Sequence, residues 1–141
     1  MASEEGAYLL PMKYEAHKAT VTKTHCNSGC ADGWGAALSQ TPTNSYSALV
    51  VLGQVMSFND PHWQVFFAYG SSRTTSPTDA NLQVGRHIAQ DKTPSSRLPE
   101  TVGYFLFEAS PSTPQDINNG FSMISNFGSD KITGADNWQF K

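Results

Sequence analysis

The stretch SSRLPETVGYFLFEAS, residues 95–110, decides the fold. Within it, residues 101–108 alternate: Val102, Tyr104 and Leu106 form one stripe, Phe105 and Phe107 another, and the run closes on the carboxylate of Glu108. A period of two over eight residues is the signature of a β-strand, whose successive side chains point to opposite faces. Apolar groups on both stripes predict a central, buried strand.

Other segments of the same kind lie upstream. HKATVTKTH sets Ala19 and Val21 against Lys18, Thr20, Thr22 and Thr24, and SALVVLGQVMSF is apolar on both faces, which predicts a second central strand. HWQVFFAYG puts Trp63, Val65, Phe67 and Tyr69 on one face, and LQVGRHIAQ puts Leu82, Val84, Arg86 and Ile88 on one face with Gln83 and His87 on the other. Between these runs stand clusters of Gly, Pro, Asn, Asp and Ser, such as NSGCADGWG, QTPTNS, NDP, YGSSRTTSPTD and DKTPSS, the chemistry of turns. No segment of a dozen residues holds a period near 3.6. The pattern predicts an all-β protein: an antiparallel β-sandwich of about six to eight strands.

At 141 residues the chain suits a single domain spanning 1–141, with residues 1–12 expected at its flexible margin. The tail from residue 117 carries Ile117, Phe121, Met123, Ile124, Phe127, Ile132, Trp138 and Phe140, enough apolar surface for one or two further strands. Charged residues are only 15%, and 16 Ser, 12 Thr and 8 Asn fill the gap. These side chains compete for local backbone hydrogen bonds and so disfavour helices.

A net charge of −3 leaves no basic face for a run of phosphates, so no nucleic-acid partner is expected. No apolar run approaches the roughly 20 residues that cross a bilayer as a helix, and no membrane insertion is expected. MASEEGAYLL lacks the basic-then-apolar order of a secretory leader, which leaves two addresses open: the cytoplasm, or the cell exterior after removal of a leader. Cys26 and Cys30, in CNSGC, bear on that choice. Metal ligation would need more ligands than neighbouring His25, a redox pair would have two intervening residues, and free thiols remain open; a small disulfide loop is the favoured reading and points to an extracellular or cell-surface address.

Three loops hold candidate side chains for recognising a ligand. FNDPHW brings Asn59, Asp60, His62 and Trp63 within five positions, acceptors and an aromatic plane for a sugar ring, although Asp-Pro also makes a turn and Trp63 also suits the first core position of the next strand. GRHIAQDK brings Arg86, His87, Gln90 and Asp91 to a strand end. Alternation sends Arg86 inward or to a subunit interface; inward it needs a mate among Asp60, Asp91 and Glu108, and a ligand contact or ordinary exposure stays open beside that ion pair. CADGWG carries Asp32 and Trp34, Trp34 being either a stacking platform or a buried plug. Successive strands reverse direction, so residues 59–62 and 89–97 return to one end, placing Asp60, His62, Asp91 and Arg97 on one rim; Trp34 joins them after an even count of reversals.

Taken in order, ALVVLGQVMSFNDPHWQVFFAYGSS, LQVGRHIAQDK and LPETVGYFLFE form a series of strand blocks. The series resembles the β-sandwich domains of large secreted repeat proteins of marine bacteria and, more distantly, the H-type lectins, the snail agglutinin family. The resemblance covers residues 46–108 and extends more weakly over residues 14–45. It implies a small antiparallel sandwich, carbohydrate or glycoconjugate as partner, and a homo-oligomer, trimeric in that family. The family's sugar-holding Arg would fall on WQVFFAYG and its Trp-His pair near AQDKTPSS, and neither occurs here. The implied fold therefore transfers without the N-acetylgalactosamine specificity.

No catalytic motif surrounds His17, His25, His62 or His87, and no Asp-x-Asp run offers calcium a cage from Asp32, Asp60 and Asp91. Asp60 with Glu100 or Glu108 is a conceivable glycosidase pair that the spacing does not select. The sequence thus points to a non-catalytic binding or adhesion module for carbohydrate, with no cofactor and no metal. Its rival is a structural subunit of an extracellular appendage, fibre or coat.

Overall fold

A computed structural model describes residues 6–9, 13–22, 37–72, 74–88, 98–110, 115–118, 121–123, 132–133 and 139–140. Along the chain it places β1 (Gly6–Leu9), β2 (Lys13–Val21), β3 (Leu38–Gln40), β4 (Leu49–Val55), β5 (Val65–Tyr69), β6 (Leu82–His87), β7 (Glu100–Glu108), β8 (Gln115–Asn118), β9 (Phe121–Met123), β10 (Ile132–Thr133) and β11 (Gln139–Phe140). Among the described residues there is no helix. Two antiparallel sheets dominate, one ordered β1-β2-β7-β4 and the other β3-β6-β5; β8-β9 and β10-β11 make two-stranded ribbons. The fold is all-β and sandwich-like.

The segment that decided the sequence reading is central. β7 lies between β2, with Tyr104 opposite His17, and β4, with Tyr104 opposite Gly53. Its Val102, Tyr104 and Leu106 are buried on the inner face. Against them the second sheet sets Leu82 and Val84 of β6, with Phe66 and Ala68 of β5 and Leu38 of β3 packed alongside; Tyr46 and Leu49 complete the core. The Phe66 ring lies nearly parallel to that of Tyr104, 6.0 Å away. It occupies the space over Gly53, where a Cβ would stand 2.6 Å from the ring, so only glycine admits that approach.

Two expectations change. SALVVLGQVMSF yields β4 at the edge of its sheet among the described residues, not at the centre. Its second apolar stripe faces outward, with Leu52 63% exposed opposite Phe105. In HWQVFFAYG, Phe67 and Tyr69 share one face as expected, their rings stacked at 5.7 Å, while Phe66 and Ala68 on the other face pack against the core. Trp63 precedes the strand and is exposed, because the turn after Asp60 still runs through it.

Three strand carboxylates fasten the connections. Glu15 of β2 accepts the backbone N–H groups of Thr43 (2.8 Å) and Asn44 (2.6 Å) and the Tyr46 hydroxyl (3.0 Å). Glu108, at the end of β7, accepts those of Ser47 (3.1 Å) and Ala48 (2.8 Å) and pairs with Lys13 at 3.1 Å. Both hold the connection from β3 to β4. Glu100, at the start of β7, does the same for the connection from β4 to β5, at the opposite end of the sandwich. Loop N–H groups that no ladder satisfies need such acceptors, and an ionised carboxylate is a strong one.

Candidate functional site

Glu100 builds this end. It shares the inner face of β7 with Val102, Tyr104 and Leu106, lies opposite Val21 of β2, and is fully buried. Its carboxylate accepts the N–H of Asn59 (2.8 Å), the N–H of Asp60 (2.6 Å), the amide of Gln64 (3.0 Å) and the hydroxyl of Ser57. Burial alone would push this carboxyl up; the donors from Asp60, Ser57, Gln64 and Asn59 outweigh it and hold the group below its ordinary value, in the ionised form.

Arg86 enters from the other sheet. As alternation on β6 required, its side chain points inward and is fully buried. It donates to the Gln64 side-chain oxygen at 2.7 Å and to the Leu98 carbonyl at 2.6 Å, with Asp60 at 3.8 Å and Glu100 at 3.9 Å. The mates are thus Asp60, which the sequence offered, and Glu100, which it did not; Glu108 belongs to Lys13 at the other end. Two carboxylates beside the guanidinium leave no buried cation uncompensated, and the backbone and side-chain donors on Glu100 stabilise the remaining negative charge.

Asp60 is 2% exposed and accepts the His62 N–H (3.1 Å) and the His62 ring nitrogen Nδ1 (2.6 Å), which closes the turn. The buried network therefore grips residues 57–64 at Ser57, Asn59, Asp60, His62 and Gln64. The side chains between those points face solvent. Phe58 is 78% exposed and Trp63 63%. Beside them stand exposed Asn59, whose amide donates to the Pro99 carbonyl at 2.8 Å, half-exposed His62, and exposed Leu98. Two aromatic planes and two polar side chains thus project from a loop whose backbone is fixed from below.

Of the residues singled out in the sequence, Asp60, His62, Trp63 and Arg86 come together here. Asp60 and Arg86 offer almost no surface and act as the base of the loop; His62 and Trp63 reach solvent. His87 lies on the opposite face of β6, buried edge-on against Phe67 at 6.4 Å, where burial pushes its ring pKa down and keeps it neutral. Asp32, Trp34, Asp91, Arg97, Cys26 and Cys30 lie outside the described residues. Among the described residues no three His, Cys, Asp or Glu groups gather in a way that could hold a metal ion.

Sequence reasoning missed Phe58, Leu98, Gln64 and the structural role of Glu100. A signal for Glu100 existed: it has the parity of Val102, Tyr104 and Leu106, so the same alternation that buries them buries it. Phe58 read as the last residue of an apolar strand, and only the Ser57 and Asn59 contacts to Glu100 show that the chain has already left the sheet. Comparison with family models, curated proteins and solved structures finds no match to this chain.

Proposed function

We propose that this domain is a non-catalytic binding module for carbohydrate, used in adhesion or recognition outside the cell, and that the exposed side chains of residues 58–63 form its contact surface. The observation that carries the reading is the contrast between tip and base: Phe58 and Trp63 lie open to solvent while the backbone that bears them is tied to buried Glu100, Asp60 and Arg86. An apolar ring exposed on a rigid loop suits the C–H face of a sugar, because little conformational freedom is lost on binding. Asn59 and His62 supply amide and imidazole groups for hydroxyls beside that face. The resemblance of the strand series to H-type lectins points the same way, with a sugar preference set by these side chains instead of the family's own.

A second reading, a structural subunit of an extracellular appendage or coat, draws on exposed aliphatic groups away from the loop, Leu52 and Met56. It predicts that aromatic truncation weakens assembly and leaves glycans unbound.

Glycan-array screening of the purified chain, followed by titration of the best binder against Trp63→Ala and Phe58→Ala, separates the two. Each variant is expected to lose about tenfold or more in affinity, about 1.4 kcal/mol, with stability within about 0.5 kcal/mol of the parent as for other exposed positions. An array without a binder, or affinity untouched by both substitutions, overturns the carbohydrate reading.

A further inference from the structure

We infer that β4 is a self-pairing edge: two copies of this chain join by antiparallel addition of β4 to β4 about a two-fold axis at Leu52, extending the four-stranded sheet across the dimer.

The backbone register defines which groups are available. Met56 N–H donates to the Thr101 carbonyl at 2.7 Å and Ala109 N–H to the Ala48 carbonyl at 2.8 Å, so Ala48, Val50, Leu52, Gln54 and Met56 turn their main-chain groups toward β7. Leu49, Val51, Gly53 and Val55 therefore turn theirs away from it. Among the described residues none of these outward groups meets a partner, and β4 ends its sheet. A row of unpaired donors and acceptors is a template for another strand.

Edges that stay single are protected by exposed charge, proline or a bulge. This edge has none of these. From residue 33 to residue 72 the only Asp, Glu, Lys or Arg is Asp60, which is buried, and β4 pairs with β7 in continuous register. Absence of charge matters most for a two-fold contact, where any charge at the axis would meet its own copy. The register in which all seven residues overlap sets Val51 against Gly53 and Leu49 against Val55, each pair exchanging both main-chain bonds, and brings Leu52 to Leu52 on the outer face. That contact covers a leucine left largely open in the single chain and continues the apolar row Phe105–Leu52 into the partner. The loop carrying Phe58 and Trp63 lies past the end of the strand, so the pairing does not rest on the carbohydrate reading.

The test uses the full chain and its Leu52→Lys and Leu52→Glu variants, with sedimentation mass and amide hydrogen exchange as readouts. The parent is expected at twice the 15.3 kDa protomer mass, with slowed exchange at Val51, Gly53 and Val55. Each variant alone is expected at the protomer mass with those amides exposed and with the circular-dichroism spectrum of the folded chain, its melting temperature lowered only by the loss of the dimer, since Leu52 sits in solvent in the single chain. Mixing the two variants restores a one-to-one dimer, because Lys and Glu then face each other across the axis. A parent that stays at the protomer mass at all concentrations, variants that still dimerise alone, or a mixture that fails to pair each overturns the inference.

Discussion

Replacing Glu100 with Ala removes one acceptor from four donors at once. Asp60 N–H is the donor left buried, at the end of a 2.6 Å bond, and an unsatisfied buried N–H costs about 1–3 kcal/mol. Asn59 N–H, the Ser57 hydroxyl and the Gln64 amide lose the same partner but lie nearer to solvent, which recovers part of their loss. Arg86 keeps Asp60 at 3.8 Å and loses the carboxylate at 3.9 Å, so its compensation is halved and not abolished. Together these give about 3–5 kcal/mol, the range for removing one member of a buried ion pair and a large share of the roughly 5–15 kcal/mol that holds a domain together. Urea unfolding followed by tryptophan fluorescence and circular dichroism measures it. Adding Arg86→Met to the variant should deepen the loss, since buried Asp60 then has no guanidinium beside it and the Gln64 oxygen and Leu98 carbonyl lose their donor. A loss below about 1 kcal/mol for Glu100→Ala would refute the view that this carboxylate fastens the loop.

Acid should weaken the fold for the same reason at three places. For Glu15, Glu100 and Glu108 alike, burial pushes the carboxyl up and is outweighed by donors, led by the N–H groups of Thr43, Asp60 and Ala48 respectively, so each folded-state pKa lies below the ordinary 4.5. The unfolded chain then binds more protons, and the stabilisation these groups give is complete above pH 4.5 and drains away as pH falls through their lower folded values. A urea midpoint that stays level from pH 6 to pH 3 would contradict this. Leu106→Ala, in the core, should cost about 2–5 kcal/mol, whereas Phe105→Ala, half-buried on the outer face, should cost clearly less; equal losses by chemical denaturation would undo the assignment of faces. Gly53→Ala should destabilise by about 1–3 kcal/mol, the usual range for overpacking, because its methyl group meets the Phe66 ring; a neutral result would show that the ring moves aside freely.

Much of this architecture was legible because alternation is a local property of the chain. Residues 101–108 announced β7 and its inner stripe, and the parity of Arg86 with Leu82 and Val84 correctly sent a guanidinium into the interior. Strand order is not local. SALVVLGQVMSF is apolar on both faces and so reads as central, yet β4 stands at an edge with Leu52 in the open, and nothing within the segment distinguishes a stripe that meets a neighbouring layer from one that meets solvent. The site divides in the same way. Asp60, His62 and Trp63 were visible as a loop of suitable chemistry, but which of them faces outward depends on Glu100, 40 residues away along the chain, whose hydrogen bonds turn Asp60 under the loop and leave Phe58 and Trp63 on top. Carboxylates that hold loop backbones carry no sequence motif, since their partners are main-chain groups that any residue supplies.

The most direct measurement on the central claim is a backbone amide and tryptophan side-chain NMR titration of the intact chain with a glycan that it binds. The account predicts shifts that saturate together at residues 57–64 and at Leu98, with the Trp63 indole among the largest, while the amides of Glu15 and of Thr43 and Asn44, at the far end of the sandwich, stay still. Shifts centred on that far end, with residues 57–64 unmoved at saturation, would contradict it.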